Sequence, residues 1–363
     1  MSTDFVTTIR GRRPAKRSLG AVVAAVALIA SGCATSGVTS PPSATSPAPS
    51  LSPAASTEPT SSPTLSPSGT ITLYTSVPQG TVDAVVEGYR ASHPGVTVDV
   101  FRAPTGELAG RVATELRAGR IRGDILWLTD PLSIQAYAAQ GLLRTWQPVE
   151  ASGIDSAFRG DTFWGTRFLN MVIIRNTTVT PGPAAWHDLT DPAYKDAVAI
   201  PDPGFAGSAF GALGYFAQTD GFGLEFYKAL KANGATQVKS PDEVTTGVAE
   251  GRFKVGMTLD NSARKAIAKG SPIQLVWPSD GAIAMYGPIG VVDATENAPA
   301  AESFVEFVLS DPGQRAIADT GWQPIRAGLG GPQPEGPQVY PNWAAVFGRQ
   351  KELLTEYRAL FGG

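Results

Sequence analysis

The chain has 363 residues, 42% hydrophobic and 17% charged, with a net charge of -3. That composition excludes fibrous, collagen-like and wholly disordered proteins and allows a sizeable core of one or two lobes. No basic stripe interleaved with aromatics is present, so nucleic acid is not an expected partner.

The first 32 residues read as an address. Arg10, Arg12, Arg13, Lys16 and Arg17 form a positive segment, Leu19 to Ala30 is an apolar run of 12 residues, and Ser31-Gly32-Cys33 follows at once. Such a run is too short to span a bilayer, which takes about 20 apolar residues, and fits the core of a signal peptide. "ASGC" resembles the bacterial lipobox, with Ala30 where that motif usually has leucine; the resemblance implies lipidation of Cys33, the only cysteine in the chain. Without residues 1–32 there remain 24 basic and 31 acidic residues, a net charge of -7.

From Ala34 to Ser68 all but four residues are Ser, Thr, Pro, Ala or Gly. This composition cannot bury a core and predicts a disordered tether, residues 33–68 including the cysteine. Coiled, it reaches roughly 30 to 35 Å. Together these features predict a body lipid-anchored to the outer face of a bacterial cytoplasmic membrane, not one that spans it.

The body starts with "TITLYTS" (Thr70 to Ser76), a strand by alternation. Val82, Val85, Val86 and Tyr89 then recur at helical spacing until His93-Pro94-Gly95. "VTVDVF" (Val96 to Phe101) is a second strand, Leu108, Val112 and Leu116 mark a helix, and "DILWL" (Asp124 to Leu128) is a third strand. After a loop-rich middle come "FLNMVIIRN" and "DAVAIPD" as strands, then helices over Ser208 to Gln218 and Phe222 to Asn233. Ser240-Pro241-Asp242-Glu243 is a capping box with proline at the first helical position. "FKVGMTLD" is a strand, Asn261 to Lys269 a helix, and "SPIQLVW" and "MYGPIGVV" are strands. Strands alternating with helices predict an α/β sheet with parallel strands, in which ligands sit beyond the carboxyl ends of strands, at helix starts.

Catalysis has no good candidate. His93 and His187 have no metal-spaced partner, and surface or core-edge packing suits both. "GSAFG" places Ser208 one position too early for a nucleophile elbow, and "SARK" lacks the companion motifs of a Ser-Lys enzyme. The chain is expected not to be an enzyme and to need no cofactor.

The "IPDPGFAGSAFGALGYF" segment (Ile200 to Phe216) offers binding instead. Gly207, Ser208 and Ala209 open a helix directly after a turn, which suits either an anion held by bare backbone N–H groups or a plain tight loop.

The body resembles the extracellular solute-binding proteins of bacterial ABC importers, in the cluster of iron(III)-, aminoethylphosphonate- and thiamine-binding members. The likeness runs in order through "ITLYTS", "GELAGRVATEL", "GDILWLTDP", "MVIIRNT", "GSAFGAL", "VAEGRFKVGMTLDNSARKAIAKGSPIQLVWPSDG", "YGPIGVV" and "AESFVEFVLSDPGQRAIADTG". It implies two α/β lobes of the type II periplasmic-binding-protein kind, joined by crossing hinge strands that close on a solute. Carried over, lobe one is 69–165 plus 286–325 and lobe two 166–285 plus 326–363. The implied partners are a small-molecule solute and a membrane permease, with the binding protein itself a monomer.

The resemblance also frames the site. Iron-binding members use a histidine after the first strand and an adjacent tyrosine pair; here Val77, Pro78 and Gln79 occupy the first position, and Asp260 and Asn261 the second. Loss of the phenolates argues against metal. The anion-holding half is retained at Gly207, Ser208 and Ala209, with Thr75 and Ser76, and Thr105 and Gly106, as matching hydroxyls and helix starts. Glu107, Asp130 or Asp260 can meet a cationic amine. Trp164, Phe168 and Tyr286 either stack on an organic moiety or pack in the core, and Asp260 and Asn261 are either site residues or helix caps. The expected cargo is a small anionic or zwitterionic solute of the phosphonate or phosphate-ester type, with iron(III) or thiamine as the alternative and a tethered hydrolase or adhesin as a distant one.

Overall fold

The computed structural model describes residues 66–362. The signal peptide, Cys33 and all but the last residues of the tether lie outside the described residues.

Each expected strand and helix of the body is present. The first lobe-like run is β1 (Gly69–Thr75), α1 (Gln79–Ser92), β2 (Val96–Arg102), α2 (Thr105–Arg117), β3 (Ile125–Trp127) and α3 (Pro131–Ala138). The long β4 (Trp164–Asn176) leads to β5 (Val198–Pro201), α4 (Gly207–Gln218), α5 (Gly223–Ala232), β6 (Thr236–Val238), α6 (Pro241–Ala249), β7 (Val255–Leu259), α7 (Asp260–Ala268) and β8 (Ile273–Val276). The chain then returns through β9 (Ala282–Val291) to α8 (Ala298–Leu309), α9 (Asp311–Asp319), β10 (Gln323–Pro324), β11 (Gln338–Val339) and α10 (Trp343–Phe361).

Caps set several helix starts. Ser240 accepts from the Glu243 N–H at 3.2 Å to open α6, while the Glu243 carboxylate accepts from Lys239 N–H at 3.2 Å, one residue earlier than a strict capping box. Asp130 opens α3 by accepting from Ser133 N–H at 2.8 Å, with Pro131 at the first helical position. Helix α3 escapes the periodicity because "PLSIQAYA" is apolar on several sides and carries no amphipathic stripe.

The sheet runs β2-β1-β3-β9-β4-β7-β5-β6. Its two ends are parallel, β2-β1-β3 and β7-β5-β6. The middle is antiparallel, so the expected parallel pairing holds within each half and not across the crossing strands: β9 pairs β3 through Ile289–Val291 and β4 through Ile283–Ile289, and β4 pairs β7 through Met171–Arg175. Two long strands therefore stitch two α/β halves together, and both are buried along almost their whole length. Helices α1, α8 and α9 pack on the first half, with Phe304 and Val308 fully buried among them. Helix α10 lies on α4, α5 and α3. Among the described residues no helix is long and apolar enough to cross a membrane.

Candidate functional site

The parallel halves turn the carboxyl ends of their strands toward each other, and a cleft of about 350 Å³ lies between them. Its wall is built from the starts of five helices: Pro78 before α1, Thr105 of α2, Ala206 to Ser208 at α4, Ser240 to Glu243 at α6, and Asn261 and Ser262 of α7. Each helix start carries unpaired N–H groups and the positive end of a helix dipole.

One corner gathers three hydroxyls against a helix start. The Thr129 hydroxyl, just past β3, hydrogen-bonds to Ser76 Oγ at 3.2 Å and to Thr105 Oγ1 at 3.0 Å. All three line the cleft. Facing them, α4 begins with no side-chain cap, and the N–H groups of Gly207, Ser208 and Ala209 have no hydrogen-bond partner among the described residues. The approach is close: a Cβ on Gly207 would sit 2.9 Å from Thr129 Oγ1 and would strike the Asp130 carboxylate. Glycine is thus required here by space. Gly106 has the same reason, since its Cβ would strike the Gly204 carbonyl, and its N–H donates to Phe205 O at 3.4 Å across the cleft.

The rest of the lining is mixed in charge. Lys239 lies 5.7 Å from the Phe205 ring, Lys265 and Arg102 reach the wall, and Glu107, Asp242 and Glu243 add carboxylates. Arg102 is partly tied down, donating from Nε to Val77 O at 2.9 Å. The Ser262 hydroxyl donates to Asp242. Leu169, Leu259 and Trp322 supply the apolar floor.

Of the residues expected at the site, Ser76, Thr105, Glu107, Gly207, Ser208 and Asn261 line the cleft. The others do not, for identifiable reasons. Thr75 is fully buried and locks the β1 turn, donating to Trp127 O at 2.7 Å and accepting from Val77 N–H. Gly106 serves the close approach just described, and the Ala209 side chain is buried although its N–H stays at the helix start. Asp130 is fully buried as the α3 cap; burial pushes its carboxyl up, opposed by donors from Ser133. Asp260 is 3% exposed at the start of α7. Burial likewise raises its pKa, and Arg264 at 3.7 Å opposes this. Asn261, though lining, spends its amide on the Thr320 and Gly321 carbonyls, the latter at 2.6 Å.

The aromatics are core. Trp164 is 1% exposed against Trp146, Phe168 packs edge-on to Phe158 at 4.9 Å, and Tyr286 packs on Phe158 and Trp343. Glu107, Asp130 and Asp260 do not converge, and among the described residues no three His, Cys, Asp or Glu side chains are grouped to hold a metal ion. His93 stacks on Tyr89 and His187 on Phe222, both at 4.4 Å, while Asp188 accepts from Ala184 and Ala185 N–H rather than from a histidine.

Sequence reasoning passed over Thr129, Lys239, Lys265, Arg102 and Trp322. Thr129 had a signal: it sits between "DILWL" and the Asp-Pro that starts α3, at a strand's carboxyl end.

A family model described as bacterial extracellular solute-binding protein matches residues 71–323. A Haemophilus influenzae protein described as uncharacterized is 33% identical over 134 residues, 36% of this chain and 39% of its own length. The chain thus matches well under half of that relative. The putative 2-aminoethylphosphonate-binding periplasmic protein of Salmonella typhimurium is 24% identical over 243 residues, covering 64% of this chain and 71% of that protein. Among solved structures, the periplasmic binding protein AfuA from Actinobacillus pleuropneumoniae, with exogenous fructose-6-phosphate bound, superposes with a TM-score of 0.73 at 19% identity, over 80% of this chain and 98% of that one. Iron-bound HitA from Pseudomonas aeruginosa superposes with a TM-score of 0.71 at 20% identity, over 80% and 99%. These likenesses establish a two-lobed fold of the type II periplasmic-binding-protein kind.

Proposed function

The chain belongs to the bacterial extracellular solute-binding proteins, substrate-binding components of ABC transporters, and from that premise we propose that it captures a small anionic or zwitterionic solute of the phosphonate or phosphate-ester type. The solute is gripped between lobe one, 69–165 plus 286–325, and lobe two, 166–285 plus 326–363, and handed to a membrane permease, with the protein a lipid-anchored monomer on the outer face of the membrane.

One observation carries the cargo class: the Ser76–Thr129–Thr105 hydroxyl chain faces the uncapped start of α4 at a distance that admits only glycine at 207. Hydroxyls and bare N–H groups offer several donors to one tetrahedral oxyanion in the field of a helix start. The carboxylates of Glu107, Asp242 and Glu243 in the same lining suit an ammonium group on the same solute. The printed ligands of two relatives, 2-aminoethylphosphonate and fructose-6-phosphate, both carry a phosphorus oxyanion, and the first also carries an ammonium group. Ferric iron is less well served, because the position of the tyrosine pair holds Asp260 and Asn261, both engaged within the fold.

A thermal-shift panel tests the reading. A ligand at a hundred times its Kd adds about 2.7 kcal/mol of stability. 2-Aminoethylphosphonate or a sugar phosphate is expected to raise Tm, and ferric citrate, thiamine and spermidine are not. Stabilisation by ferric citrate alone would overturn the cargo class, and turnover of a substrate would overturn the binding function.

A further inference from the structure

We infer that Arg167, on the crossing strand β4, is the buried counter-charge for the cargo's anion and sets the charge class of solute that the cleft accepts. The inference rests on the proposed anionic cargo and adds the residue that neutralises it.

The side chain is fully buried. Its Nε and Nη2 have no hydrogen-bond partner among the described residues, and Nη1 has only a long contact of 3.4 Å to the Thr166 hydroxyl. That hydroxyl is already committed, donating to Gly287 O at 2.7 Å and accepting from Trp127 Nε1 at 2.9 Å. The guanidinium instead lies over two indole faces, 5.8 Å from Trp127 and 5.1 Å from Trp322. No ion pair involves it among the described residues, and burial alone depresses its pKa, to about 9.

An arginine buried without a carboxylate is costly, and two indole faces return only part of that cost. Its location says what the charge is for. A Cβ on Gly287 would meet both Arg167 Nη1, at 2.6 Å, and Leu128 O, at 3.0 Å, so the guanidinium lies beside the Leu128–Thr129 peptide. Thr129 is the centre of the hydroxyl chain, and Trp322, over the guanidinium, lines the cleft. The positive charge therefore lies next to residues of the proposed anion corner, in a low-dielectric wall through which its field reaches the cleft. Arg167 acts through that wall as a positioning residue, without touching the solute.

Arg167→Met removes the charge and keeps much of the volume, and Arg167→Lys keeps the charge. Titration calorimetry with 2-aminoethylphosphonate and with fructose-6-phosphate is expected to show Arg167→Met binding roughly tenfold or more weakly, with affinity largely rescued in Arg167→Lys. Denaturant unfolding of the ligand-free proteins is expected to find Arg167→Met at least as stable as the wild type. Unchanged affinity in Arg167→Met would overturn the inference while leaving the proposed function standing. So would a ligand-free Arg167→Met that is clearly less stable than wild type, because the guanidinium would then be a brace between the indoles. Failure of the wild type to bind either probe would instead remove the cargo class, and the inference with it.

Discussion

Two buried charges in this fold are treated in opposite ways. Glu115, at the back of lobe one, is 8% exposed and accepts from the Tyr74 hydroxyl at 2.7 Å, Arg111 Nε at 2.9 Å and Arg122 N–H at 2.9 Å. Burial by itself would raise its carboxyl pKa, but those donors outweigh it and hold the group below its ordinary value. Arg167, fully buried on β4, has neither a carboxylate partner nor a good hydrogen bond among the described residues. The first charge is satisfied by hydrogen bonds within the fold; the second is the one proposed to act on the solute through the cleft wall. The same contrast separates two helix starts in the cleft. Helix α6 is capped by its own Ser240, whereas α4 has no side-chain cap and its first N–H groups have no partner among the described residues.

The largest effect is expected from closing the open side of this comparison. Gly207→Val places a side chain against Asp130 and Thr129. It should weaken binding by roughly tenfold to a hundredfold, the cost of overpacking a tight contact. If the cleft opens when empty, as hinge closure on a solute requires, the clash falls on the closed form and the ligand-free Tm should move little. Affinity equal to wild type in calorimetry would mean that no ligand sits at the α4 start.

Breaking the satisfied side should do the reverse. Glu115→Gln is expected to cost about 1–3 kcal/mol in denaturant unfolding, since it weakens charged hydrogen bonds to Tyr74, Arg111 and the Arg122 N–H, and to leave ligand affinity unchanged. Because the folded-state pKa of Glu115 is depressed, its contribution is present above the ordinary carboxylate pKa and is lost as pH falls through the folded-state value. The acid limb of the stability profile should therefore flatten in the variant. An unaltered profile would show that Glu115 is not paired as described.

The smallest effect belongs to the capped helix. Ser240→Ala should lower stability by about 1 kcal/mol through loss of the α6 cap, with affinity within about twofold of wild type because that N–H group is not offered to the solute. A loss of affinity larger than the loss of stability would move the anion toward α6.

How much of this was legible in the sequence follows from the range of the interactions. Strands such as "VGMTL" and the α6 start are written in local pattern and capping chemistry, and the structure keeps them. The α4 start was legible because glycine and serine after a turn announce it. The partner it faces was not: Asp130 looked like the site, but Asp-Pro is a cap followed by a first-turn proline, and the neighbouring Thr129 is the residue in the cleft. Lys239, Lys265 and Trp322 reach the cleft from separate parts of the chain, which no short window brings together. The parallel pairing expected from strands alternating with helices holds at the two ends of the sheet, whereas the antiparallel direction of β9 and β4 depends on which distant strands they meet. Arg167 left one trace, a lone charge inside the apolar run "WGTRFLNMVII", but its lack of a partner is a property of the packed fold.

The most direct test is a crystal structure of the protein with a bound phosphonate or phosphate ester. The account predicts the phosphorus group within hydrogen-bond reach of the N–H groups of Gly207, Ser208 and Ala209 and of the hydroxyls of Ser76, Thr105 and Thr129. A phosphorus group lodged against Lys239 and Lys265 at the start of α6, with the α4 start empty, would contradict it.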